Sequence, residues 1–242
     1  MTLTFDHATY AYGWLKAPVV RDLDWGVPEG RTVLLGPNGA GKSTLLSLGA
    51  GAIRPRRGRV FYGAASDSDA TALRKRVGWM PQQIRAFPGL TVREQVAYAG
   101  WLKGLARSTA WVGATQALEL VGLVDLRDRR SSSLSGGELR RLGIAQTLVH
   151  RAEVLLLDEP TAGLDPAQRA RFRSVLTALP RETRIVVSTH QVDDLSEVFD
   201  KVVVLDQGKI CFSGRVDEFL EQVEPGERQA ERAYAALIAG SA

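Results

Sequence analysis

Gly36-Pro-Asn-Gly-Ala-Gly-Lys-Ser-Thr44 is the stretch whose reading decides the fold of this 242-residue chain. It fits the pattern G-x-x-x-x-G-K-[ST] at every fixed position, through Gly36, Gly41, Lys42 and Ser43. Upstream, Arg31–Leu35 has the apolar run of a short buried strand; downstream, Leu45-Leu-Ser-Leu opens a helix. Strand, glycine loop and helix in that order are the context the pattern requires. The chemistry is anion capture. Gly36, Gly39 and Gly41, with Pro37, Asn38 and Ala40 between them, let successive backbone N–H groups turn inward as a nest for a phosphate. The loop also ends at a helix N-terminus, where open N–H groups and the macrodipole favour negative charge. Lys42 adds a full positive charge for the β/γ-phosphates, Ser43 offers Mg²⁺ a hard oxygen, and Thr44 closes the stretch. Such a chain binds a nucleoside triphosphate.

The bulk properties narrow the setting. Hydrophobic content of 45% and charged content of 24% are those of a soluble globular protein. No window approaches the roughly 18 uninterrupted apolar residues of a membrane span. The start, Met-Thr-Leu-Thr-Phe-Asp, has neither the basic region nor the apolar run of a secretion signal, so the chain is expected to stay in the cytoplasm. A single cysteine, Cys211, excludes an internal disulfide and a cysteine metal cluster, and its strand-like surroundings predict a buried, inert thiol. Net charge is +4, with arginines clustered at 54, 56, 57 and 59 and again at 127, 129 and 130. No aromatics interleave with them, so no nucleic acid is expected as a partner; the clusters read as solvated surface and also suit anionic lipid headgroups.

Along the chain, residues 3–12 and a run toward Val27 predict two antiparallel strands before the phosphate loop. A short strand at 59–62, a loop or single helical turn at 64–72 and a buried strand at 77–80 follow it. Residues 91–150 change to helical spacing, with Thr91 and Ser108 as N-caps, Glu94 completing a capping box, and breaks at Gly104 and Gly122. This predicts a helical subdomain, about 84–150, inserted in an α/β core. Strands at 154–157, 184–188, 202–205 and 209–212 alternate with helices at 166–179 and 191–198. Near-continuous apolar strands such as Val154-Leu-Leu-Leu imply a mostly parallel sheet covered on both faces. The remainder, 218–238, reads as a helical tail.

Two further clusters bear on chemistry. Asp158-Glu159 ends an apolar strand, and since strand side chains alternate, the two carboxylates take different roles. Asp158 suits a Mg²⁺ ligand, and Glu159 a base that orients or deprotonates water. Leu134-Ser-Gly-Gly-Glu138 is a second glycine-bearing helix start, so Ser135, Gly136 and Gly137 form another anion site. Only one lysine serves these two sites, which raises the question of which phosphate the second one meets.

The ordered set 36–44, Gln82, 134–138, Asp158-Glu159, Gly163-Leu-Asp165 and His190 resembles the ATP-binding cassette of ABC transporters across roughly residues 3–220. The resemblance implies a P-loop NTPase core with an N-terminal antiparallel β subdomain and ATP as nucleotide, followed by a C-terminal tail at 221–242. It implies two cassettes paired head to tail, homo- or heterodimeric, so that Ser135–Gly137 of one meets the ATP held by Lys42 of the other. Gln82 matches the metal- and water-sensing glutamine, with Gln83 adjoining it as the alternative register. His190 matches the switch histidine at the γ-phosphate, and Asp165 the loop that communicates across the dimer. Tyr12 matches the adenine-stacking aromatic, with Tyr10 as competitor. Glu138 departs from the family, which usually has Gln there. The implied activity is ATP hydrolysis that powers a separate transmembrane permease from the cytoplasmic face of the membrane. Details from Leu142-Gly-Ile-Ala-Gln through Pro160 to Asp165 look closest to ABC-2-type exporters.

Overall fold

The strand expected before the phosphate loop, β3 (Arg31–Leu35), lies inside a six-stranded sheet in the computed structural model, which describes residues 1–64, 70–190 and 198–240. Its neighbours are β7 (Arg184–Ser188) and β8 (Lys201–Asp206), both parallel to it. Beyond β7 come β6 (Val154–Asp158) and β5 (Val77–Met80), also parallel; β9 (Lys209–Arg215) closes the other edge antiparallel to β8. A second sheet is wholly antiparallel, with β1 (Leu3–Tyr10) between β2 (Val20–Gly26) and β4 (Arg57–Tyr62).

Alternation along the parallel strands builds two faces, as the pleat demands. Leu34, Leu156, Val186 and Val203 point to a core shared with Leu3, Phe5 and Trp25 of the small sheet. Helix α1 (Lys42–Gly49) lies in that core through Leu45, Leu46 and Leu48. A Cβ on Gly49 would stand 2.9 Å from Leu156 and 3.1 Å from Phe5, so glycine lets the helix sit against both sheets. The opposite face presents Leu155, Leu157, Ile185 and Val187 to a second core. That core is completed by helices α3 (Val92–Leu102), α4 (Arg107–Leu120), α5 (Gly136–Leu148) and α6 (Pro166–Ala178). Helix α2 (Ala70–Arg76) leads directly into β5. Two C-terminal helices, α7 (Val216–Leu220) and α8 (Gln229–Gly240), cover Val33, Leu35, Val202 and Val204 through Phe219 and Ala233.

Several expectations are corrected. Ser108 does not cap α4: the helix begins at Arg107 behind an extended Ala106 that makes no side-chain cap bond. Ala110, Ala114 and Ala117 are buried along that helix, and Ala114 and Ala117 pack into the second core, so packing rather than a side-chain cap holds it. Cys211 is exposed because exposure alternates along β9 and it falls on an outward position between the half-buried Ile210 and Phe212; its thiol donates to the Val204 carbonyl at 3.3 Å. The C-terminal segment, expected to be helical, forms two helices with Pro225 and Gly226 (φ 150°) between them. The helix expected at 191–198 falls almost wholly on residues outside those described, as does much of the loop at 64–72. Thr91, by contrast, caps α3 as expected, accepting from Glu94 N while Glu94 returns a bond to Thr91 N.

Candidate functional site

The phosphate loop connects the carboxyl end of β3 to the first turn of α1, the end of a parallel sheet at which ligands bind. Gly41 is the N-cap of α1 at φ 107°, a backbone region that a side chain would strain, and a Cβ there would come within 2.9 Å of the Val19 carbonyl. No side chain caps this helix, so the N–H groups of its first turn are left for a ligand. Lys42 is buried, and its Nζ donates to the carbonyls of Gly36 (2.6 Å) and Pro37 (3.2 Å). Burial pushes its pKa down, while the Glu159 and Asp158 carboxylates oppose that shift. Asn38, Gly39 and Ser43 are exposed at the mouth of the loop, whereas Gly36, Ala40 and Thr44 are buried.

Across the sheet edge, Asp158 ends β6 and Glu159 leaves it. Both are buried. Ser188, last residue of β7, donates its hydroxyl to Asp158 Oδ1 at 2.6 Å and accepts from Glu159 N at 3.0 Å. Glu159 adopts φ 48°, left-handed for a non-glycine residue, so a break in the backbone separates the two carboxylates as well as strand alternation. Its carboxylate faces His190, whose Nδ1 lies 3.1 Å from each oxygen. Ser188 is the functional residue that sequence reasoning missed. Its signal was a hydroxyl at the end of an otherwise apolar strand.

Tyr12 is 60% exposed, and its hydroxyl lies 2.9 Å from Thr44 Oγ1, which sets the ring beside the phosphate loop. Tyr10 instead packs against the core between the sheets and meets Tyr12 edge-on at 5.1 Å. Gln82 and Gln83 are both exposed just after β5. The pairing of Met80 with Leu157 puts them beyond the same sheet edge as Glu159.

Ser135 caps α5, accepting from Glu138 N at 3.4 Å while Glu138 Oε2 accepts from both the Ser135 N–H and its hydroxyl at 2.8 Å. These bonds hold the Glu138 carboxyl below its usual pKa. Ser135 and Gly136 are exposed, and a Cβ at Gly136 would meet nothing within 4 Å. At Gly137 the space is filled: a Cβ would overlap Gln168, whose side chain bonds Asp165, the N-cap of α6. The structure thus brings Lys42, Asp158, Glu159 and His190 into one cluster. It ties Ser135–Gly137 to the Asp165 helix start of the same chain.

A cavity of about 820 Å³ is lined by Glu29, Tyr62, Glu153 and Arg184 at the opposite, amino ends of β6 and β7. Of its lining residues, Glu153 is paired with Tyr62 and Arg76, and Arg184 with Glu29.

A glycine nest with a buried ammonium, beside a serine-anchored aspartate, suits a triphosphate, and Ser43 with Asp158 supplies hard oxygens of the kind Mg²⁺ takes. Fold and site together define a P-loop nucleotide-binding protein. Residues 20–162 match the ABC transporter family, more than half of the chain. The chain is 40% identical over 221 residues to the cobalt import ATP-binding protein CbiO of Rhodobacter capsulatus, covering 88% of this chain and 78% of that one. It is 36% identical over 227 residues to the molybdenum import ATP-binding protein ModC of Rhizobium meliloti, covering 90% of this chain but only 63% of ModC. Among solved structures, a bacterial Atm1-family ABC exporter with ATP bound superposes with a TM-score of 0.78 at 27% identity, over 100% of this chain and 42% of that one. The chain belongs to the ABC transporter family, in the class of ATPase cassettes.

Proposed function

We propose that this chain is the ATP-hydrolysing subunit of an ABC transporter, working at the cytoplasmic face of a membrane on a separate transmembrane permease. Among the described residues no helix is long and apolar enough to cross a membrane. The reading is carried by the pairing of Glu159 with His190 beside Lys42. Lys42 and the loop N–H groups hold the β- and γ-phosphates, and Tyr12 stacks on adenine. Ser43 and Asp158, with Gln82 as sensor, would hold Mg²⁺, which would supply charge neutralisation at the phosphates. Glu159 orients the attacking water and accepts its proton, and His190 fixes the carboxylate and contacts the γ-phosphate. The second cassette, a like or unlike copy, supplies its Ser135–Gly137 turn to close the pocket, and Asp165 lines the seam between copies.

Export is the direction favoured by the resemblance of 142–165 to ABC-2-type cassettes, although relatives named for import show similar identity. The helical region (84–150) exposes Tyr98, Trp101 and Trp111 on α3 and α4, an apolar patch fitted to a permease segment. ATP binds the closed pair more tightly than the open one, and only that difference drives the permease. The test is Glu159→Gln. ATP binding should persist while turnover falls by about 10²–10⁴-fold; a parental rate would remove Glu159 from the role of base.

A further inference from the structure

Glu159 holds a left-handed backbone (φ 48°) in front of Pro160, and a proline biases its predecessor toward extended conformations. A non-glycine residue stays there only when its surroundings over-determine it. Ser188 secures the amino side, where Glu159 N donates to the Ser188 hydroxyl at 3.0 Å and carbonyl at 3.2 Å. The carbonyl side has two donors. One is Ala162 N at 3.2 Å, from the same turn. The other comes from a different part of the fold: Arg140 Nη1, on the second turn of α5, donates at 2.9 Å.

We infer that Arg140 is a positioning residue for Glu159, tying the base of each cassette to its own serine–glycine helix. Arg140 follows Gly136 by four residues, so the two share a face of α5 one turn apart. The same helix start also clasps the far end of the connection, where Gly137 abuts Gln168 and Gln168 holds Asp165. The segment from Glu159 to Asp165 is therefore gripped at both ends by α5. Resting on the composite-site reading above, this has a direct consequence. The α5 start meets the neighbour's ATP, while Arg140 one turn later sets the peptide that aims this chain's own carboxylate. Engagement of one ATP is thereby felt at the other base, and a small misplacement of a catalytic group is costly in rate.

The experiment compares the full chain with Arg140→Met, Glu159→Gln and the double variant, measuring ATP affinity, KM, kcat and ATP-driven pairing. Arg140→Met should lower kcat by about ten- to a hundredfold, with KM and ATP affinity within about twofold of parental. On the Glu159→Gln background the same change should slow hydrolysis no further, because the group it positions is gone. Pairing of the double variant with Mg·ATP should match that of Glu159→Gln alone. A parental kcat for Arg140→Met would overturn the inference. So would an equal loss on both backgrounds, or a loss of ATP affinity that accounts for the slower rate. If Arg140→Met does not fold, Arg140→Gln, too short to reach the carbonyl, carries the same comparison. Should Glu159→Gln itself turn over at the parental rate, the base assignment falls and this inference with it. Slow Glu159→Gln beside parental Arg140→Met removes the inference alone.

Discussion

Two glycine-bearing helix starts lie among the described residues, and they are built in opposite ways. The start of α1 has no side-chain cap, a left-handed glycine at its N-cap and a buried lysine folded onto the loop carbonyls. Its first-turn donors and its charge are set out for an anion that the protein does not itself supply. The start of α5 is already complete, because Ser135 and Glu138 satisfy each other in a capping box. The side chain bonded there is the Glu138 carboxylate, with the Arg129 and Arg141 guanidiniums farther off. A phosphate arriving there must draw the Ser135 hydroxyl away from Glu138 and tolerate negative charge nearby. The first start thus suits the receptor of the proposed site, and the second its proposed lid, already formed without ligand. A lid of this kind would act on a phosphate already neutralised elsewhere, which is the physical ground for proposing a pocket shared between two chains.

Removing the charge from the receptor gives the largest effect expected. Lys42→Ala should abolish ATP binding at micromolar concentrations and lower turnover at least about 10³-fold, checked by nucleotide titration and phosphate release. If Lys42→Ala still binds ATP normally, the receptor side of the contrast is lost. Disabling the lid should act differently. Ser135→Arg, bulky at an exposed cap, should leave ATP affinity of the single chain within about threefold while cutting turnover about a hundredfold. Equal loss of binding would mean that Ser135 serves its own chain's nucleotide.

The base-reading side chain gives a smaller signal. Tyr12→Ala should weaken ATP binding by about 5–50-fold with near-parental turnover at saturation, as expected for loss of one base–aromatic stack. An unchanged affinity would transfer that role to Tyr10. The smallest effect belongs to Glu138. Glu138→Gln keeps the capping box but removes the carboxylate, so ATP-driven pairing should tighten by about two- to fivefold. The parental cap is also acid-sensitive. With its folded pKa depressed, Glu138 contributes stability that is fully present above its unfolded value of 4.5 and is lost as pH falls through the folded one. Glu138→Gln should lose that part of the acid dependence in a thermal melt, and an unchanged profile would contradict the capping role.

The contrast also explains what the sequence disclosed. The receptor was legible because its chemistry is local: glycines, lysine and hydroxyl follow one another between a strand and a helix. The apolar strands around it were legible for the same reason, as runs such as Val154-Leu-Leu-Leu admit few other placements. Non-local bonds escaped the reading. Pro160 argues for an extended Glu159, yet bonds from Ser188 and Arg140, distant in sequence, hold it left-handed. Nothing near Tyr12 announces that its hydroxyl meets Thr44, and Ser188 reveals its purpose only once β6 and β7 are paired in register. Ser108 misled for a related reason. A plausible local cap lost to the packing of an alanine face. Cys211 misled because which positions of β9 face outward is settled by how the strand packs, not by its residue types.

The shared pocket is tested most directly by sedimentation velocity of the Glu159→Gln chain with and without Mg·ATP. The account predicts single chains without nucleotide, pairs with it, and a return to single chains when Ser135→Arg is added to the same background. Single chains under all three conditions, or pairs that form without nucleotide and ignore Ser135→Arg, would contradict it.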